Sequence, residues 1–271
     1  MTDFKGAVRL AFKDQIAWIT LDNPQKHNSL SVDDIGLFLA HLECVEARSE
    51  PRVLVITGNG PKTFCAGVSL EELAEDSVIS EHFQELTDKL ANMQIPTLCA
   101  MNGSAFGGGA EIALCCDFRI GVRDMTVLIP AAQFGLCYPL NGIQRYIQRV
   151  GISTTKRLLM AAETLDAETL LSEGYLTHLV ERDELHQSAE EMADNLSNLA
   201  PLAITGMKQI CDQMVAGTLC EQQAQMIAYN CRKSSDLVEG LNAMQERRQP
   251  QFTGEIRSDD DKSESQWPLP H

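Results

Sequence analysis

The chain has 271 residues, 44% of them hydrophobic, which suffices for a large domain with its own apolar core. The net charge of -16 argues against nucleic acids and anionic membranes as partners, because both bind clustered Lys and Arg. No apolar segment has the length of a membrane span and no signal peptide is found, so a cytoplasmic location is expected.

The nine cysteines include no CxxC pair and predict small, buried, reduced side chains. The six histidines lack the spacing of a metal site, so no metal is expected.

Short strands and helices alternate over the first 142 residues. Strands are predicted where apolar runs end at turn residues, and helices where apolar residues recur every three or four positions. Ser31, with Asp34 three residues on, is expected to cap the first helix. The predicted elements are strands at 8–12 and 16–21 joined by a turn at Lys13-Asp14, a helix after Ser31, a strand at 53–56, a helix around 79–92, a strand at 97–101, a helix at 105–115 and a strand at 117–121. This alternation predicts an α/β core with parallel strands.

From about residue 143 the pattern is helical as far as about residue 247, apart from an extended piece at 176–180. We predict an α-helical C-terminal region that packs on the core or on a neighbouring subunit. The predicted units are a core at 1–195, a helical region at 196–253 and a disordered, acidic tail at 254–271.

Two glycine-containing segments follow predicted strands, at 64–70 and 102–111, and the second leads into an apolar helix. The three glycines at 107–109 fit tight helix–strand packing as well as close approach of the backbone to a ligand. The phosphate-loop pattern is absent here, and Ser104 is one place away from a nucleophile elbow.

Taken together, the segments resemble the enoyl-CoA hydratase/isomerase (crotonase) family in order and spacing over most of the chain. The matching segments are 23–30, 64–70, 107–111, 116–119, 165–185 and 239–252. The resemblance implies a spiral core of ββα turns and a helical C-terminal region that forms a homotrimer or homohexamer. It also implies an acyl-CoA thioester as substrate and no separate cofactor.

The resemblance also assigns roles to residues of the two glycine segments. The backbone amides of Val68 and Gly108 would hold the oxygen of a thioester enolate, and Glu111 would act as acid and base. Read without the resemblance, Glu111 is a first-turn glutamate that the helix dipole stabilises, and Lys26 is a solvated lysine. The residues implied to bind the substrate and its CoA moiety are Lys26, Ser29, Ala66, Leu70 and Gly107.

Three positions depart from the family pattern. Ala131 stands where the hydratases carry a second glutamate, Pro139 stands near the aspartate of dienoyl-CoA isomerases, and Ser69 replaces a usual aspartate. Hydratases of the family use both glutamates, and simple isomerases commonly keep the one that is missing here. The alternatives are therefore a thioester hydrolase, a decarboxylase or a non-catalytic acyl-CoA binder.

Overall fold

The computed structural model describes residues 7–75 and 78–257, in two compact units that divide between Ser197 and Asn198. This division falls two residues after the predicted end of the core. The elements of the first unit are β1 (Val8–Lys13), β2 (Ile16–Leu21), α1 (Val32–Glu46), β3 (Val53–Gly58), β4 (Thr63–Cys65), α2 (Leu70–Glu75), α3 (Val78–Ala91), β5 (Thr97–Met101), β6 (Ser104–Phe106), α4 (Gly108–Cys115), β7 (Phe118–Val122), β8 (Thr126–Leu128), α5 (Leu140–Leu159), β9 (Leu165–Asp166), α6 (Ala167–Ser172), β10 (His178–Val180) and α7 (Leu185–Ser197). The elements of the second unit are α8 (Pro201–Ala216), α9 (Glu221–Lys233) and α10 (Ser235–Glu246).

The larger sheet has six strands in the order β1-β2-β3-β5-β7-β10, and only the β1–β2 pair is antiparallel. The apolar run that predicted a strand at 53–56 is completely buried in β3, as expected for a central parallel strand covered on both faces. Helix α7 packs across β2, β3, β5 and β7. It buries Leu185, Ala189, Ala193 and Leu196, four positions that share one face of the helix.

A second, smaller sheet is built from β4, β6, β8 and β9. Its first three strands alternate in sequence with β3, β5 and β7 of the larger sheet, and a helical segment follows each pair. The chain therefore winds as ββα turns, which confirms the α/β core with parallel strands and the predicted spiral.

The structure corrects four details of the sequence-based expectations. Lys13 pairs with Ile16 inside the hairpin, so the turn is Asp14-Gln15. The residues 104–106, expected mostly as helix, form β6 because they pair with β4 and β8. Three cysteines predicted to be buried are exposed, namely Cys137, Cys211 and Cys220. All nine cysteines are free.

The fourth correction concerns the start of the predicted tail. Asp236 accepts hydrogen bonds from the backbone of Thr253 at 2.8 Å and Gly254 at 2.9 Å, and Arg257 N donates to the Lys233 carbonyl at 3.0 Å. Residues 254–257 are thus fixed on the second unit. The rest of the predicted tail, 258–271, lies outside the described residues.

Candidate active site

The two glycine segments lie side by side because they follow neighbouring parallel strands. Cys65 at the end of β4 pairs with Ala105 in β6, and the carboxyl ends of parallel strands meet at one edge of a sheet. A Cβ atom placed on Gly67 would lie 2.8 Å from the amide nitrogen of Gly108. The first segment therefore contacts the start of α4.

The backbone around Val68 leaves one amide unused. Leu30 donates to the Gly67 carbonyl and accepts from the Ser69 amide, both at 2.8 Å, so the flanking groups of Val68 are paired. Neither the Val68 nor the Gly108 amide has a backbone or side-chain acceptor within the ranges 7–75 and 78–257. The Gly108 amide is one of the unpaired donors at the first turn of α4, where partial positive charge accumulates.

Glycine is required in this region for two separate reasons. Gly67 has φ +86°, and any side chain there would also press on Gly108. A Cβ on Gly109 would lie 2.2 Å from the Cys65 carbonyl oxygen, so this glycine permits tight packing between α4 and β4. Within the run at 107–109, Gly109 therefore fits the explanation of tight helix–strand packing.

Asn28 fixes the N-terminal loop against the first glycine segment. Its side-chain amide donates to the carbonyls of Asn59 at 2.9 Å, Thr63 at 3.0 Å and Phe64 at 3.0 Å, and its side-chain oxygen accepts from Asn23 N at 2.9 Å. Its φ of +54° is one that asparagine tolerates better than most residues. Asn28 lies in the matching segment 23–30, but no sequence pattern reveals its distant partners.

A cavity of 450 Å³ opens beside these loops. Four of the residues implied by the resemblance line it, namely Lys26, Ser29, Ala66 and Val68. Gly107, Gly108 and Glu111 are not among its described lining residues. Leu70 begins α2, but its side chain is outside the described part of the chain.

Glu111 occupies the first turn of α4 and is 3% exposed. Its Oε1 atom lies 2.7 Å from Nη1 of Arg145 on α5. The Tyr138 hydroxyl is also nearby, although it is buried without a described hydrogen-bond partner. Gly142 makes room for this group, because a Cβ there would lie 2.6 Å from the Tyr138 ring and 3.0 Å from Glu111 Oε1.

Burial is the main influence on the Glu111 carboxyl and raises its pKa above the ordinary value. Tyr138 and Arg145 oppose this effect, and Asp88 adds to it. The Tyr138 hydroxyl lies outside hydrogen-bond geometry, so its dipole favours the carboxylate less than burial disfavours it. The site therefore contains a carboxyl that can exchange a proton nearer to neutral pH than a solvated glutamate.

Arg145 links Glu111 to α3 and was not identified from the sequence. Its Nη1 also donates to Thr87 Oγ1 at 3.2 Å, and its Nη2 forms an ion pair with Asp88. Asn141, one turn earlier on α5, donates to both Asp88 oxygens at 3.2 and 3.0 Å. Since Arg145 lies 34 residues after Glu111 on another helix, sequence spacing gives no indication of the pair.

Ala131 begins a 3-10 turn at Ala131–Phe134 and is 7% exposed. The preceding strand, β8, is fixed beside the second glycine segment, since Gly107 N donates to the Leu128 carbonyl at 3.0 Å. The position expected for a second glutamate is thus a buried methyl group.

Within the described ranges, no three His, Cys, Asp or Glu side chains are grouped so as to hold a metal ion. None of the helices there is both long and apolar enough to cross a membrane.

Related proteins match over nearly the whole chain. The family model described as enoyl-CoA hydratase/isomerase matches residues 11–255. Carnitinyl-CoA dehydratase of Proteus mirabilis is 33% identical over 220 residues, covering 76% of this chain and 84% of that protein. The probable enoyl-CoA hydratase 2, mitochondrial, of Arabidopsis thaliana is 29% identical over 260 residues, covering 93% of this chain and 86% of that protein.

The solved structures confirm the fold. The crystal structure of an enoyl-CoA hydratase/carnithine racemase from Magnetospirillum magneticum superimposes with a TM-score of 0.88 at 22% identity, covering 93% of this chain and 97% of that chain. The predicted resemblance and the ββα spiral are therefore both correct, and the chain belongs to the enoyl-CoA hydratase/isomerase family of enzymes.

Proposed function

We propose that this enzyme binds an acyl-CoA thioester, holds the thioester oxygen with the Val68 and Gly108 amides, and uses Glu111 to move a proton. The observation that carries this proposal is that the Val68 and Gly108 amides both lack an acceptor within the described ranges and lie in two loops that touch where Gly67 packs against Gly108. Relatives whose names specify enoyl-CoA or carnitinyl-CoA chemistry support the choice of a CoA thioester.

Removing a proton next to a thioester carbonyl places negative charge on the carbonyl oxygen. Two fixed N–H donors stabilise that charge without reorganising, and losing one such donor typically costs about 3 kcal/mol of barrier. The half-buried setting of Val68 and Gly108 supports this role, because partial exclusion of water strengthens the interaction. The dipole of α4 adds to it at Gly108.

A single carboxylate favours isomerisation over hydration as the reaction, with Glu111 in place of the carboxylate that simple isomerases of the family commonly keep. In an isomerisation, Glu111 takes a proton from one carbon of the acyl chain, the electron pair enters the enolate, and the same proton returns to another carbon as the double bond moves. Hydration needs one group to activate water and another to protonate carbon, and the buried Ala131 can do neither. The Glu111 pKa, raised by burial, suits a group that both accepts and returns a proton.

The 450 Å³ cavity is the proposed path of the CoA moiety. Lys26 is exposed at its rim and forms no ion pair with a described residue, so its ammonium is available to a phosphate. Two of the acidic lining residues are already engaged, since Asp34 accepts from Ser31 N and Glu72 accepts from Val32 N. The other proposed contacts that line the cavity are Ser29 and Ala66, and Leu70 and Gly107 are proposed substrate contacts outside its described lining.

We also propose that the chain assembles as a homotrimer or homohexamer through its second unit. Helices α8, α9 and α10 expose more large apolar side chains than isolated surface residues would account for. These are Met207, Met214, Val215, Met226, Tyr229, Leu237 and Met244. Sedimentation or light scattering measures the mass of the assembly directly.

The test of the function is a panel of acyl-CoA thioesters followed by mass spectrometry with chromatography of the products. We expect double-bond isomers of unchanged mass, and we expect Glu111→Gln to abolish their formation while leaving thioester binding within about threefold. Glu43→Gln, at an exposed glutamate on α1, is the control. Full turnover by the Glu111 variant would overturn the acid/base role of Glu111. Free CoA or loss of carbon dioxide as the main outcome would overturn the proposed reaction in favour of a hydrolase or a decarboxylase.

A further inference from the structure

A network of polar and charged side chains runs from the surface of α3 to the proposed acid/base. Asn141 and Arg145 both bind Asp88, and Arg145 continues to Glu111. The Arg145 side chain is 14% exposed, whereas that of Asp88 is 42% exposed, so the network passes from solvent into the interior. Three helices, α3, α4 and α5, each contribute to it.

The guanidinium geometry makes this arrangement specific. Nη1 donates to Glu111 and Thr87, and Nη2 pairs with Asp88. The planar, forked guanidinium therefore bridges two carboxylates on different helices. A lysine ammonium is a point charge and cannot keep both separations. The fork therefore determines where the Glu111 carboxylate lies and how it is turned.

Only one oxygen of Glu111 is used by this contact. Arg145 binds Oε1, and no donor within the described ranges meets hydrogen-bond geometry at Oε2. On the basis of the proposed function, we propose that Arg145 is a positioning residue that fixes Oε1 and presents Oε2 for proton transfer, and that Asp88 and Asn141 hold Arg145 in place for this task.

The surroundings of Glu111 identify the group that controls its charge. Cys115 on the same helix and Tyr146 on α5 are buried, as is the hydroxyl of Tyr138, and burial keeps the pKa of each of these groups well above its ordinary value. They remain neutral at physiological pH. Asp88 on α3 favours the protonated form of Glu111, so Arg145 is the cation that opposes burial there.

The first test replaces Arg145 by Met. Because a misplaced base transfers protons more slowly, we expect kcat to fall about 100-fold. KM should stay within about twofold, because Arg145 does not line the proposed CoA cavity. The rate requires the Glu111 carboxylate and therefore falls as pH drops through its pKa. Losing the cation should move this acidic limb of the pH–rate profile to higher pH.

The second test is Arg145→Lys, which keeps the charge but not the fork. We expect the acidic limb to stay at the wild-type pH while kcat falls about tenfold. Arg157→Met is the matched control, since Arg157 lies on the same helix but pairs with Glu163 and Glu173 at the surface. It should leave both kcat and the pH profile unchanged.

The results separate this inference from the proposed function. Wild-type kcat in either folded Arg145 variant would overturn the positioning role, and the lysine variant decides alone if the methionine variant does not fold. Full activity of Glu111→Gln would instead overturn the acid/base assignment itself.

Discussion

The Tyr175 hydroxyl donates a 2.7 Å hydrogen bond to the Ala110 carbonyl, and both residues are completely buried. Ala110 precedes Glu111 in the first turn of α4, so the bond anchors the helix turn that carries the proposed acid/base. The Tyr175 carbonyl in turn accepts from the buried Arg119 guanidinium. The matching segments 116–119 and 165–185 thus meet behind the active-site helix.

Tyr175→Phe removes the hydroxyl and leaves the ring in place. We expect the free energy of unfolding to fall by about 1–2 kcal/mol, because the Ala110 carbonyl loses its buried partner. Urea unfolding of both proteins measures the difference. Tyr146→Phe is the control, since the Tyr146 hydroxyl is buried without a described hydrogen-bond partner, and a Tyr175 variant as stable as that control would contradict the prediction.

Gly67→Ala tests the contact between the two glycine segments. A methyl group would meet the Gly108 amide in a backbone conformation that alanine adopts only with strain, so we expect turnover to fall by about two orders of magnitude. Steady-state kinetics with the best thioester of the panel measures this loss.

Gly217→Ala is the matched control for that variant. Gly217 has φ +70°, so it shares the backbone strain, but a Cβ there would meet no atom within 4 Å. Both variants should lose stability, and only Gly67→Ala should lose catalysis. Equal turnover in the two would show that the Gly108 amide takes no part in the reaction.

The Glu111 pKa also predicts how stability depends on pH. Because burial raises this pKa, the folded protein binds more protons than the unfolded chain between the ordinary glutamate pKa and the raised one. The free energy of unfolding should therefore fall as pH rises through that window. Subtracting the Glu111→Gln protein, which lacks the titrating group, isolates this contribution in urea unfolding measured at several pH values. A difference that is constant, or that grows with pH, would contradict the prediction.

Local sequence patterns predicted much of the fold because helix capping and strand burial depend on residues that are close together in the chain. Ser31 and Asp34 form the expected capping box, and the apolar run at 53–56 forms the expected buried strand. The strands β4, β6 and β8 were missed because three residues are too few to show a period of two. Their existence depends on pairing between segments far apart in the chain.

The residues of the candidate site likewise divide into those that were predicted from the sequence and those that only the structure reveals. Val68, Gly108 and Glu111 were named because the order and spacing of the two glycine segments resemble the crotonase family, and that resemblance assigns roles to these positions. Arg145 and Asp88 were missed because an ion pair between helices depends on how the helices pack, and periodicity does not encode which charged side chains will face one another. Arg145 is one of several arginines on α5, and only the structure distinguishes it from the surface residue Arg157.

Ala131→Glu restores the carboxylate that family hydratases carry. Because a second carboxylate can orient water while Glu111 transfers the proton, we expect the variant to gain hydration of an α,β-unsaturated thioester, seen as the mass of one added water. The new carboxyl would be buried, so we also expect some loss of stability. Ala132→Glu places the same charge on the neighbouring, exposed residue and should gain no hydration. If the two variants hydrate equally well, the missing glutamate does not determine the proposed preference for isomerisation, which must then arise from Arg145 and the surroundings of Glu111.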